Sequence, residues 1–173
     1  GLIVKTKGRN VPERGRSADA IGEFQRGRVV VLANQFSASA AEIVTGALKD
    51  WGRALIMGER TYGKGSVQRL IPLHRQGRQP RRAKLKLTTA YYYLPSGRCL
   101  HRTNGSKQWG VDPDVAVPMT SRQMGRWAEI RQETDLLREI DPQRLSMLLK
   151  QQLDEDIQLQ SALLALRIQS LTE

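Results

Sequence analysis

The sequence predicts an α/β fold in which a strand-helix-strand crossover and a mixed sheet are followed by a C-terminal α-helical tail. Apolar runs at 28–34 and 54–59 have the length of buried strands and flank a segment with helical apolar spacing. The stretch "AKLKLTTAYYYLPSG", residues 83–97, alternates like a long strand and ends in a Pro-Ser-Gly turn. From Ser121 onward glycines are few and apolar residues recur every three or four positions, as in amphipathic helices.

The crossover is predicted over residues 28–59. After the first strand, "SASAAEIVTGALKDWG" contains a serine cap, a glutamate in the first turns and a closing Gly52. Apolar residues lie three and four apart between these signals, which predicts a helix of about three turns. The strand at 54–59 follows, so the unit should be a right-handed parallel crossover.

The remaining strands are predicted on both sides of a basic connection. "TYGKGSVQRLIPL" begins as a glycine-bounded loop and becomes a strand at 66–72, which we expect to form a hairpin with 83–97. "GVDPDVAVPM", residues 110–119, is typical of a final edge strand. The opening "GLIVKT" is typical of a strand already under way, so we expect further chain upstream. The domain prediction is a core at 1–120 and a helical extension at 121–173.

Composition excludes several classes of protein. The 173 residues are 39% hydrophobic and 26% charged, as in an ordinary globular domain. No apolar run is long enough for a membrane span, and the first residues do not resemble a signal peptide. The single cysteine, Cys99, excludes an internal disulfide and a cysteine-only metal site. We predict no metal and no cofactor.

The net charge of +11 is concentrated in the predicted core. Residues 121–173 contain 7 Lys/Arg and 9 Asp/Glu, so the whole basic excess lies in residues 1–120. The densest stretch, residues 69–86, has seven Lys/Arg and no acidic residue. It is either a solvated hairpin loop or a surface for nucleic acid or another anionic partner. A binding module that acts through this basic loop is therefore the alternative function.

Candidate catalytic residues lie where the first strand of the crossover turns into its helix. Ser37 and Ser39 are placed near free backbone N–H groups and the positive end of the helix dipole. The two histidines, His74 and His101, have no motif that connects them to this turn, which disfavours a Ser-His-Asp triad. Lys64, between two glycines after the second strand, is the other available base. A lysine acts as a base only when its amine is neutral.

These segments together resemble the carboxyl-terminal processing (tail-specific) serine protease family. The resemblance rests on the continuous stretch from "VVVLANQFSASAAEIV" to "TYGKGSVQRLIPL", followed by "KLKLTTAYYYLPSGR" and "GVDPDVAV". It extends over about residues 2–118. The resemblance implies that Ser39 is the nucleophile, Lys64 the general base and Gln68 its support. It also implies that the Ala40 N–H is one half of the oxyanion hole and that Asp50 has a supporting role.

The family pattern is incomplete in this chain. The upstream core strands, the Gly-Gly turn with the second oxyanion donor and the PDZ domain are missing, so the activity of these residues alone is an open question. Ala41 stands where relatives often have a serine. The resemblance implies polypeptide substrates cleaved near their C-termini, no nucleic acid, and a location in the cell envelope or periplasm. Contact with a membrane surface and homo-oligomerisation through the C-terminal helices stay open.

Overall fold

The computed structural model describes residues 1–19, 21–22, 26–73, 83–136 and 141–171. Its strands form two sheets, one antiparallel with the order β2-β1-β6-β5 and one parallel with the order β3-β4-β7. The predicted α/β class is confirmed, with the parallel and antiparallel strands in separate sheets. The strands are β1 (Leu2–Gly8), β2 (Val11–Ser17), β3 (Val30–Ala33), β4 (Leu55–Gly58), β5 (Ser66–Pro72), β6 (Lys84–Tyr93) and β7 (Val115–Ala116); the helices are α1 (Ala40–Asp50), α2 (Ser121–Leu136), α3 (Pro142–Glu155) and α4 (Ile157–Leu171).

The predicted crossover is confirmed as β3-α1-β4. Val30 to Ala33 pair in parallel register with Leu55 to Gly58, and α1 lies between the two strands in the chain. The short strand β7 pairs in parallel with the outer side of β4, so the predicted final edge strand is also confirmed. The carboxyl ends of β3 and β4 therefore lie side by side, which is where sites form in parallel sheets.

The antiparallel sheet contains one strand that the sequence did not predict. The hairpin of β5 and β6 is confirmed, with Ser66 opposite Tyr91 and Pro72 opposite Lys84. The missed strand is β2, which pairs with β1 at the edge of the sheet. Its sequence, VPERGRS, is polar and largely exposed, so it lacks the apolar alternation that marks a half-buried strand. The basic connection 74–82 of the hairpin lies outside the described residues.

The core lies between α1 and the segment that follows β6. Leu94, Leu100 and Val111 are fully buried and pack with Ile43 of α1. Gly46 of α1 sits against Leu94: a Cβ atom at position 46 would lie 2.5 Å from Leu94 Cδ2. The absence of a side chain at Gly46 therefore allows the helix to approach this core closely.

The C-terminal extension is helical, as predicted, but it contains three helices where the sequence pattern indicated two segments. Asp156 separates α3 from α4. Its N–H donates to Gln152 O, and its Oδ1 accepts a hydrogen bond from Leu159 N at 2.9 Å, so it caps the end of one helix and the start of the next. Helix α4 contacts β3 and β4, and Gln158 Nε2 donates to Val117 O at 2.9 Å. None of the helices in the described ranges has the length and apolar character needed to cross a membrane.

An ion pair joins α1 to the parallel sheet. Lys49 Nζ lies 2.7 Å from Asp114 Oδ1, and Asp114 Oδ2 accepts a hydrogen bond from Ile56 N at 2.9 Å. Burial raises the pKa of the Asp114 carboxyl, but the hydrogen bonds from Lys49 and Ile56 and the Lys49 charge outweigh it. The net effect is a pKa below the ordinary value for aspartate.

Substitution of Gly46 by alanine is expected to lower the free energy of unfolding by about 1–3 kcal/mol, because the new methyl group overlaps Leu94. Gly125 is the matched control, since it is also helical but a Cβ atom there meets no atom within 4 Å. Gly125→Ala should raise the free energy of unfolding by about 0.5–1 kcal/mol through helix propensity. Urea unfolding measures both. Stabilisation by Gly46→Ala would show that Leu94 has room to move.

Asp114→Asn should reduce stability at neutral pH and change its pH dependence. The carboxyl has a lowered pKa in the folded state, so its contribution is complete above the ordinary pKa of about 4 and is lost as the pH falls through the folded-state pKa. The stability difference between wild type and variant should therefore shrink on acidification. Urea unfolding at several pH values between about 7 and 3 measures this. A difference that stays constant across that range would contradict it.

Candidate functional site

The turn between β3 and α1 is held by Asn34 and Ser37. Ser37 N donates to Asn34 O at 2.9 Å, and Asn34 N donates to Ser37 Oγ at 3.2 Å. Asn34 Oδ1 in turn accepts a hydrogen bond from Phe36 N at 3.0 Å. The Ser37 hydroxyl is thus used within the turn itself.

Ser39 immediately precedes α1 and has a strained backbone. Its φ of 60° and ψ of −116° make it the one non-glycine residue with positive φ in the described part of the chain. Such conformations cost on the order of 1–3 kcal/mol and persist only where the surroundings impose them. A serine on a strained turn between a strand and a helix is the geometry that exposes a nucleophile in α/β hydrolases.

A buried carboxylate links this turn to the loop that contains Lys64. Glu42 of α1 is fully buried, and both of its oxygens accept hydrogen bonds. Oε2 accepts from Ser39 N at 2.9 Å and from Lys64 N at 2.8 Å. Oε1 accepts from Gly63 N at 2.6 Å and from Thr61 Oγ1 at 2.5 Å. The backbones of Ser39 and Lys64 are therefore both within hydrogen-bonding distance of one oxygen atom.

The glycines on both sides of Lys64 are required by packing. Gly63 has φ of +90°, and a Cβ atom there would lie 2.7 Å from the Trp109 ring. A Cβ atom at Gly65 would lie 2.5 Å from His101 N. The carbonyl oxygen of Gly63 accepts a hydrogen bond from Arg102 N, and that of Gly65 accepts one from Tyr92 N. The loop is thus fixed against the segment that follows β6.

Thr61 connects the same carboxylate to the core. Its side chain is buried, its N–H donates to Val111 O at 3.1 Å, and Val111 N donates to its hydroxyl oxygen at 2.8 Å. The hydroxyl hydrogen is therefore available for Glu42. This chain of hydrogen bonds accounts for how a fully buried carboxylate is satisfied.

The structure brings some of the candidate residues together and separates others. The start of α1 brings together Ser39, Ala40 and the backbone of Lys64. Because Ala40 is the first residue of the helix, its N–H has no acceptor within the helix. Gln68 lies further along β5, is exposed, and follows a register shift opposite β6. Asp50 lies at the other end of α1, where its Oδ2 accepts a hydrogen bond from Ser96 N at 2.8 Å.

Sequence reasoning identified the helix cap but not the role of Glu42 and Thr61. The signal was present: Ser39 followed three residues later by Glu42 is the pattern of a capping box, in which the glutamate binds the backbone N–H of the cap residue. Only the fold shows that the same carboxylate also binds the lysine loop. The described residues contain no group of three or more His, Cys, Asp or Glu arranged to hold a metal ion.

A strained serine at the start of a helix that follows a parallel strand is the position at which α/β hydrolases hold their nucleophile. Comparison with known proteins identifies the family. A model of Peptidase family S41 matches residues 1–117, and the chain belongs to that family. The expected resemblance to carboxyl-terminal processing proteases is confirmed at this level.

Individual relatives agree with the family. The chain is 42% identical over 118 residues to a carboxy-terminal-processing protease of Bartonella bacilliformis, covering 68% of this chain and 24% of that protein. It is 42% identical over 108 residues to a carboxyl-terminal-processing protease of Picosynechococcus, covering 62% and 22%. The structure is similar to a photosystem II D1 C-terminal processing protease, with 34% identity, a TM-score of 0.58, and coverage of 68% and 28%. The chain thus spans about a quarter of the length of these relatives.

The alternative function, a binding module that acts through the basic loop 69–86, finds no support in these comparisons. All three relatives are named as processing proteases. Residues 74–82 of that loop lie outside the described residues.

Glu42→Gln is expected to lower the free energy of unfolding by about 2–4 kcal/mol, because an amide has one acceptor oxygen and its NH₂ group would face two donors. Glu133→Gln is the control, since Glu133 is an exposed helical glutamate on α2. It should change stability by less than about 0.5 kcal/mol. Urea unfolding at one pH compares the two. Equal effects would show that the carboxylate at position 42 is not needed to hold the two segments.

Proposed function

We propose that this chain is part of a serine endopeptidase that cleaves polypeptides near their C-termini through a Ser39-Lys64 dyad. The observation that carries the proposal is that one buried carboxylate, Glu42, accepts hydrogen bonds from the backbones of both Ser39 and Lys64. Membership of Peptidase family S41 and the names of the relatives support it.

The mechanism follows from the chemistry of these groups. The Lys64 amine takes the proton from Ser39 Oγ, and the oxygen attacks the carbonyl carbon of the scissile peptide bond. The developing oxyanion is stabilised by the Ala40 N–H at the positive end of α1, and Lys64 returns the proton to the leaving amine. Water, deprotonated by Lys64, then hydrolyses the acyl-enzyme ester. Gln68 supports the amine by hydrogen bonding without adding a charge.

Asp50 is proposed as a supporting residue that acts on structure. Its carboxylate holds Ser96 N in the turn after β6, and it lies at the opposite end of α1 from Ser39. The loss of this bond would disturb the turn and, through the neighbouring Leu94, the core under α1.

The organisation and surroundings of the enzyme are further parts of the proposal. We propose a core at 1–120 with a helical extension at 121–173, and a location in the cell envelope or periplasm. Exposed apolar residues on α3 and α4, among them Met147 and Leu164, support homo-oligomerisation through the extension. Contact with a membrane surface is proposed from the basic stretch 69–86, whose positive charge attracts anionic lipid.

Ser39→Ala and Lys64→Met, introduced into the full-length gene product, are expected to lower the rate of peptide hydrolysis at least about 10³-fold. Each substitution removes one member of the dyad. Gln68→Ala should lower it about tenfold by removing one hydrogen bond to the base. The 173-residue chain alone should be slow, because it spans only about a quarter of the length of the relatives it matches.

The matched controls are Ser146→Ala and Lys150→Met, both on the exposed surface of α3. They should leave hydrolysis unchanged. The measurement is the rate of cleavage of a polypeptide with a free C-terminus, with product masses to locate the cut. Activity close to wild type in Ser39→Ala or Lys64→Met would overturn the dyad, and cuts spread evenly along the chain would overturn the C-terminal preference.

A further inference from the structure

An open pocket of about 580 Å³ lies directly beside Lys64. Its volume is within the range of small-molecule and side-chain binding sites. The walls include the side chains of Lys64, Arg102 and Trp109 and the polar residues Asn104 and Ser106. None of the described residues that line it is acidic. The pocket is thus rich in cations and hydrogen-bond donors.

Trp109 forms a platform for two arginines in this region. The Cζ atom of Arg60 lies 4.3 Å from the centre of the Trp109 ring and that of Arg102 lies 4.7 Å from it. Stacking of this kind holds a guanidinium group in a fixed plane. The ring is itself fixed, because it packs against Gly63 in the loop before Lys64.

The two arginines differ in their partners. Arg60 forms an ion pair with Asp112, so its charge is already balanced. Arg102 lines the pocket, is exposed, and forms no ion pair with an acidic residue in the part of the chain that the structure describes. Its backbone N–H is bound to Gly63 O, which fixes the residue next to Lys64. Of these two arginines, Arg102 is therefore the one whose guanidinium group is available to bind a ligand.

The pocket is connected to the turn before Ser39 through two of its lining residues, Tyr62 and Lys64. Tyr62, which also lines it, donates its N–H to Ser37 O at 3.0 Å, two residues before Ser39. Lys64, on the pocket wall, is bound through its backbone to the same carboxylate as Ser39. A polypeptide with its scissile bond at Ser39 would place a neighbouring residue or its C-terminus at the pocket.

We propose that this pocket binds a carboxylate of the polypeptide substrate, with Arg102 as its main partner. The inference rests on the proposed function and names a feature of the substrate. The planar guanidinium fork matches the two oxygens of a carboxylate, and the hydroxyl and amide groups of Ser106 and Asn104 are further donors. The carboxylate is either an acidic side chain near the scissile bond or the C-terminal α-carboxylate.

The test is binding, measured by fluorescence anisotropy with the 173-residue chain carrying Ser39→Ala. The probes are a series of short labelled peptides with a free C-terminus. Each peptide contains neutral residues and one glutamate, and the glutamate occupies a different position in each member of the series. Two further forms of the peptide have glutamine for glutamate or a C-terminal amide. We expect one of these changes to weaken binding about five- to tenfold, and about 0.5 M salt to reduce the difference. The glutamine form tests the side chain and the amide form tests the C-terminus.

The variants separate Arg102 from general charge. Arg102→Gln should abolish the discrimination between charged and neutral peptides, and Arg102→Lys, which keeps the charge but loses the planar fork, should retain part of it. Arg14→Gln on β2 is the matched control, because Arg14 is exposed on the strand at the opposite edge of the sheet from β5. It should leave discrimination unchanged.

Two results would overturn the inference: equal binding of all peptide forms, or equal loss of discrimination in Arg14→Gln and Arg102→Gln. Failure of the proposed function can be distinguished from failure of this inference. The function is tested by peptide hydrolysis in Ser39 and Lys64 variants, whereas the inference is tested by peptide affinity. A chain that hydrolyses peptides but binds charged and neutral forms equally would retain the function and lose this inference.

Discussion

The positions of the turn before α1 and of the loop that contains Lys64 depend on the hydrogen bonds of one buried carboxylate, that of Glu42. Glu42 is fully shielded from water, and a charge in that position is tolerated only when its oxygens are occupied by donors. The donors come from two segments: the residue before α1, through Ser39 N, and the loop after β4, through the Thr61 hydroxyl and the N–H groups of Gly63 and Lys64. The burial of Glu42 in the first turn of α1 therefore depends on both segments. The carboxylate thus joins the turn before α1 to the loop that contains Lys64.

Strain and close contacts around that carboxylate follow from the same requirement. Ser39 holds an unfavourable φ because its N–H is bound to Glu42 while its carbonyl begins the helix. Gly63 and Gly65 lie so close to Trp109 and His101 that a side chain at either position would overlap them. Conformations of this kind persist where the surroundings impose them, and they occur most often at functional sites. The polar lining of the pocket beside Lys64 is a consequence of the same arrangement, because the loop and the 101–109 segment are joined through Gly63 O and Arg102 N.

The scaffold holds these loops from both sides. Parallel pairing of β3 and β4 brings their carboxyl ends together. The ion pair between Lys49 and Asp114 ties the far end of α1 to the residue that precedes the edge strand β7. The C-terminal extension contributes through α4, which contacts the same two strands. The helical tail is thus attached to the sheet that positions the site. Family membership accounts for residues 1–117, and the tail adds contacts beyond that match.

The elements of the fold could largely be predicted from the sequence, because apolar periodicity, caps and turns are local properties. The crossover, the hairpin and the helical tail followed from such patterns, whereas β2 was missed because an exposed polar edge strand has no periodic signal. The break at Asp156 was missed because one residue caps two helices there. By itself the sequence determined most of the secondary structure and, through its resemblance to a protease family, pointed to Ser39 and Lys64. Only the tertiary structure decided that Glu42 joins them and that Asp50 lies elsewhere, because hydrogen bonds between distant segments depend on how those segments pack.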